Sequence, residues 1–153
     1  MKKILTFSLV LLLALTMFVS CGKKESLNEF IINNGTEPQS LDPSKIEGVP
    51  EHRIYMALFE GLVSYDPKTS EAVPGVAESW SRSNNDTVIT FKLRDAYWSD
   101  GEKITAQTFV DSWLYYLAPE TAAVYAYMPA MIIKGAEAYN AGNAPASEVG
   151  IRA

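Results

Sequence analysis

The apolar positions of this chain fall into one solid block and several short periodic ones. The block is Ile4 to Val19, uncharged throughout, with Leu9, Val10, Leu11, Leu12, Leu13, Ala14 and Leu15 at its centre. Lys2 and Lys3 precede it, and Gly22, Lys23 and Lys24 close it. A spanning helix wants about 20 apolar residues, so a shorter run behind a positive start reads as a secretory leader. Polar residues from Lys23 to Asn28 follow as a flexible tether. Phe30, Ile31 and Ile32 then form a brief strand candidate ended by Asn33, Asn34 and Gly35, and proline-rich Thr36 to Pro50 reads as extended loop.

Helical spacing begins at Glu51, where Ile54, Leu58 and Leu62 recur at steps of four beside Tyr55 and Phe59, and Pro50 suits the first turn. Asp66 to Thr69 makes the turn of a small hairpin. Val73 to Trp80 reads as loop leading into a short helical turn at Val76 to Ser79. Thr87 to Leu93 alternates as a strand with one face buried, and Ser99 to Glu102 turns the chain. Thr105 is the expected N-cap of a helix reaching about Leu117, with Phe109, Trp113, Tyr116 and Leu117 on its inward face, and Pro119 stops it. A final helix is expected from about Pro129 to Ala141, with Ile132, Ile133 and Ala136 inward and Gly142 as its stop. Glu148 to Ala153 reads as the start of a strand.

Charge narrows the function classes. The formal charge is -5, and without residues 1 to 20, which hold two lysines and no acids, it is -7. A nucleic-acid partner is therefore not expected, because phosphate binding wants a basic stripe. Enzyme chemistry finds few candidates. His52 is the only histidine and Cys21 the only cysteine, so zinc lacks ligands and no internal disulfide can form. No Gly-x-Ser-x-Gly block marks a hydrolase, and no glycine-rich loop cradles phosphate. Asp100 and Glu102 lie together within one turn, where they read as structural rather than as a glycosidase pair. The expectation is a chain that is not an enzyme and carries no metal or cofactor.

Phe18-Val19-Ser20-Cys21 resembles a lipobox, with Phe18 where leucine is more usual. That resemblance implies cleavage before Cys21 and lipid on its sulfur. The chain then divides into a lipoprotein signal peptide (1–20), a tether (21–28) and a solute-binding segment (29–153). Three further blocks, Asn33 to Pro43, Leu58-Phe59-Glu60-Gly61-Leu62 and Pro74-Gly75-Val76-Ala77-Glu78-Ser79-Trp80, resemble the family 5 solute-binding proteins of ABC importers. Thr90 to Arg94, Trp98-Ser99-Asp100-Gly101 and Thr105 to Trp113 continue the series in the family's order. Ile46-Glu47-Gly48-Val49-Pro50-Glu51 is closest to the oligopeptide-binding branch. Thr108 departs from the pattern, which often has an acidic residue there.

The resemblance implies an α/β chain forming part of a two-lobed periplasmic-binding-protein fold of the class II type, truncated at its carboxy-terminal end. A peptide would lie extended between the lobes and pair with backbone like an added strand. Val49 would supply backbone hydrogen bonds, Glu47 a carboxylate near the peptide, Gly48 room for close approach, and Tyr125 a contact near the ligand's amino end. Trp113 reads as core. The implied partners are a peptide, the permease and ATPase subunits of an ABC transporter, and a bacterial membrane reached through the lipid, on the periplasmic or extracytoplasmic face. A receptor for dipeptides, nickel chelates or another solute is the sibling alternative. A surface lipoprotein adhesin without transport is the alternative of another class.

Overall fold

The structure, a computed structural model, describes residues 30–153. The leader, the lipobox with Cys21 and the tether of residues 21–28 lie outside the described residues. Phe30, Ile31 and Ile32 form no strand and are strongly exposed, at 90%, 82% and 69%. A strand is held by its ladder, and none of the described strands pairs with these three residues.

From Asn34 onward the chain is mixed helix and strand. Helix α1 (Val49–Leu58) starts behind N-cap Gly48 with Pro50 in its first turn. Pro50 costs nothing there, since its missing N–H would have no helical acceptor. The helix stops before Leu62, the third member of the apolar spacing, because Phe59 is already extended. Strands β1 (Val63–Tyr65) and β2 (Ala72–Pro74) make the expected hairpin, with Ser64 opposite Val73. Asp66 builds its turn by accepting the amides of Lys68 at 2.8 Å and Thr69 at 2.9 Å.

Strand β3 (Ala77–Ser83) replaces the helical turn expected at Val76 to Ser79. It pairs antiparallel with β4 (Val88–Leu93), with a bulge between Ala77 and Ser79. Ala-Glu-Ser-Trp-Ser-Arg-Ser has little β propensity, so pairing with Val88-Ile89-Thr90-Phe91 decides its conformation. The connection uses Asn84, Asn85 and Asp86, all at positive φ, residue types that tolerate the left-handed region better than most. The face expected to be buried on β4 is only half-covered at Phe91 and Leu93, and Ile89 is exposed.

Helix α2 (Ala106–Leu117) has the expected N-cap, Thr105. Thr108 fills the place of the absent acid: its hydroxyl accepts the Thr105 amide at 3.1 Å while the Thr105 hydroxyl accepts the Thr108 amide at 3.4 Å. This reciprocal box satisfies two amides that a helix start leaves free. The inward face differs from expectation. Val110 and Leu117 are buried and Leu114 packs beside them, whereas Trp113 stays 36% exposed.

The single helix expected over Pro129 to Ala141 is two, α3 (Tyr127–Ile132) and α4 (Ala136–Asn140). Gly135, at φ +74, makes the break. Ile132 consequently points outward, while Ala136 is buried as expected. Gly142 does close α4, its amide donating to Tyr139 at 2.9 Å and that of Asn143 to Ala138 at 2.8 Å. The core lies among these helices: Leu117, Ala130, Ala136 and Val149, with Leu114, Ile133, Tyr139 and Ile151 against them. The final residues form no strand; a 3₁₀ turn, Ala146–Glu148, brings Val149 into that core, and the Gly150 amide donates to Lys134 at 2.7 Å.

Candidate functional site

An open concavity of about 1810 Å³ runs between the start of α1, the β1 region and α2. Its wall is largely aromatic, including Tyr55, Phe59, Trp98, Phe109, Trp113 and Tyr116. Trp113 therefore faces this hollow rather than the core. The same spacing that signals a core stripe also serves a helix that walls a cleft. Asp42, Glu47, Glu60 and Asp111 make its rim mainly acidic, and the one lining arginine, Arg94, is bound to Glu60 at 2.5 Å.

All four expected ligand contacts, Glu47, Gly48, Val49 and Tyr125, line this hollow. Two of them touch: the Tyr125 hydroxyl donates to the Glu47 carbonyl at 3.4 Å, a long bond joining residues 78 apart. Glu47 is exposed, and Val49 is 62% exposed at the first position of α1. Tyr125 and Tyr127 lie with ring centres 6.3 Å apart. Burial, with Tyr125 and Tyr127 nearby, raises the Tyr116 hydroxyl above its ordinary 10.0, so it remains a donor at neutral pH.

Gly48 earns its place locally. A Cβ there would stand 2.5 Å from Oε2 of Glu51. Glu51 is 5% exposed, and its Oε1 accepts the Gln39 amide at 2.7 Å. That bond, together with the amides of Glu51 itself and Gly48, holds its carboxyl below the ordinary 4.5. Asp42 shapes the middle of the loop, accepting the Ser44 hydroxyl at 2.7 Å and amide at 2.9 Å. Nothing in the spacing of the sequence marks Glu51 as the one buried carboxylate of this stretch.

Arg94 joins three separate segments. Its Nε donates to the Gly75 carbonyl at 3.0 Å, its Nη2 meets Glu60, and its amide donates to Val76 at 3.0 Å. Glu60-Gly61, Pro74-Gly75-Val76 and Arg94, read as separate blocks in the sequence, thus form one joint in the wall of the hollow. The aromatic wall, acidic rim and accessible loop backbone suit non-covalent retention of an elongated ligand with apolar and cationic parts. Among the described residues no group of three or more His, Cys, Asp or Glu is placed to hold a metal ion. Also among them, no helix is long and apolar enough to cross a membrane.

Residues 71–150 match the middle-region model of the bacterial extracellular solute-binding proteins, family 5. The periplasmic oligopeptide-binding protein OppA of Escherichia coli (strain K12) is 47% identical over 138 residues, which cover 88% of this chain and 24% of that protein. The crystal structure of Haemophilus influenzae OppA in complex with RPPGFSPFR superposes with a TM-score of 0.73 at 41% identity, over 79% of this chain and 24% of that one. The Escherichia coli murein tripeptide binding protein MppA gives 0.72 at 44% identity, over 76% and 23%. The chain spans about a quarter of the length of the curated relatives it matches. With the family's middle region matched over more than half its residues, the chain belongs to the family 5 bacterial extracellular solute-binding proteins.

Proposed function

We propose that this chain is the amino-terminal part of an extracytoplasmic receptor that binds oligopeptides and delivers them to an ABC transporter for import. The observation that carries the reading is the meeting of Glu47 and Tyr125 on one aromatic-walled hollow, in a chain 47% identical to an oligopeptide-binding protein. An extended peptide would take hydrogen bonds from the backbone around Val49, which gives affinity with little dependence on side chains. Gly48 admits the ligand's main chain, Glu47 sits beside its charged groups, and Tyr125 contacts it near the amino end. The receptor captures and does not catalyse; ATP hydrolysis belongs to a partner subunit.

The remaining parts follow the same reading. Residues 1–20 direct export, lipid on Cys21 anchors the chain at the outer face of a membrane, residues 21–28 are the leash, and residues 29–153 carry binding. Acyl chains contribute about 0.8 kcal/mol per buried CH₂, and more than one is needed for lasting attachment. Confinement beside the permease raises the receptor's effective concentration there.

Mass spectrometry of ligands that copurify with the native protein tests the substrate class: short peptides are expected, and a pool without peptides would refute the reading. Glu47→Gln should shift that pool away from basic peptides, and an unchanged pool would remove Glu47 from the site. Cys21→Ser should release the protein from membranes, and continued membrane attachment would refute the lipid anchor.

A further inference from the structure

We propose that Glu51 is a positioning residue for peptide binding, its carboxylate tying Gln39 to the start of α1 and so fixing the course of Glu47, Gly48 and Val49. The inference rests on the receptor reading above and adds to it a residue that would touch no ligand.

The stretch from Thr36 to Gly48 has little to hold it from within. It contains Pro38 and Pro43, which lack amide donors, and no part of it joins a sheet. Its course is set by side chains. The Glu51 to Gln39 bond closes a loop of 12 residues at 2.7 Å, shorter than most amide-to-carbonyl bonds and consistent with a charged acceptor. Within that loop the Asp42 to Ser44 contacts make one turn. Outside it, the Asn34 side chain donates to the Pro50 carbonyl at 3.2 Å, and Arg53 donates to the Asn34 carbonyl at 3.4 Å.

Glu51 is the buried carboxylate of this set, and a carboxylate is tolerated in such a place only when it is hydrogen-bonded. Glycine at the N-cap of α1 offers no capping oxygen, and the Glu51 side chain, three residues on, turns back to lie beside it. Its second oxygen occupies the space that any side chain at position 48 would need. One carboxylate thereby meets residue 48 through one oxygen and Gln39 through the other. The two glutamates within residues 46–51 divide the work: exposed Glu47 lines the hollow, and buried Glu51 holds the backbone that presents it. A ligand that binds through backbone contacts gains most when those groups are placed beforehand.

The test compares the native protein with Glu51→Ala and Glu51→Gln, measuring calorimetric affinity for a mixed pool of short synthetic peptides and amide hydrogen exchange across residues 36–50. Glu51→Ala should bind about tenfold more weakly, the scale of one backbone donor left without its acceptor, with faster exchange concentrated at Gln39. Glu51→Gln, which keeps an oxygen for the Gln39 amide, should recover most of the affinity. Unchanged affinity in Glu51→Ala, or faster exchange spread evenly over the chain, would overturn the inference while leaving the receptor reading intact. Should Glu51→Ala not fold, Gly48→Ala presses on the other oxygen of the same carboxylate and, by turning it, should expose the Gln39 amide; full protection of Gln39 there also overturns it. Absence of peptide binding by the unmodified protein would instead bring down the receptor reading and this inference with it.

Discussion

Replacing Gly135 with alanine should destabilise the native protein by about 3 kcal/mol, on three contributions of differing sign. The residue has φ +74, where an L side chain costs roughly 1–2 kcal/mol. A Cβ there would also press on the Glu148 carbonyl, lying 3.0 Å from its carbon, and backbone cannot swing aside as a side chain can. Overpacking of this kind costs about 1–3 kcal/mol. Stiffening of the unfolded chain returns about 0.4–1 kcal/mol. Gly101 supplies the control, because it has φ +91 but nothing within 4 Å of a Cβ. Gly101→Ala should therefore cost only about 1 kcal/mol, the backbone penalty less the unfolded-state gain. Urea unfolding of both variants measures the difference. Equal losses would show that the close approach of Gly135 to Glu148 contributes nothing, and would refute the packing of the chain's last residues against α3 and α4.

Two further outcomes rest on other parts of the chain. The Ser44 hydroxyl and amide hold the Asp42 carboxyl below its ordinary 3.8, the Gln39 amide holds Glu51 below 4.5, and the Thr69 and Lys68 amides hold Asp66 below 3.8. In each case the unfolded chain takes up the proton first as pH falls, so this stabilisation is complete above the ordinary values and is lost below them. Thermal unfolding across that acid range should show the decline, and a melting temperature that holds constant through it would contradict these hydrogen bonds. Thr105→Ala should cost about 1 kcal/mol in urea unfolding, whereas Thr108→Asp should gain roughly 0.3–1 kcal/mol by placing an acid in the first turn. A loss with Thr108→Asp would mean that its hydroxyl serves the box better than a charge does.

Local chemistry made part of this fold legible. Thr105 and Pro119 bracket a helix because one offers a capping oxygen and the other cannot continue the hydrogen-bond ladder, and both boundaries stand. Strand β3 was not readable in the same way, since Ala77 to Ser83 is polar and its conformation comes from a partner, not from its own residues. The break at Gly135 was hidden by the apolar spacing on either side, which continues in register across the lost turn. At the site, the block from Ile46 to Glu51 pointed to Glu47, Gly48 and Val49 through family resemblance, and Tyr125 came the same way. Composition and periodicity alone left these as a solvated loop and a packing aromatic. Trp113 was placed in the core because an apolar stripe is the same pattern whether it meets another helix or an open hollow.

The Tyr125 to Glu47 contact also bears on the order in which the molecule assembles. It joins residues 78 apart, while the Glu51 to Gln39 bond spans only 12. Closing the longer loop costs roughly 1.7 kcal/mol more in chain entropy on logarithmic scaling, and a single long hydroxyl bond cannot offset that alone. The short closures around α1 are thus favoured early in folding, and the two arms of the hollow meet only after β1 to β4 and α2 have drawn the intervening chain together. The closed hollow becomes a late property of the folding chain. A partly folded molecule would hold a shaped loop without the tyrosine that meets it across the hollow.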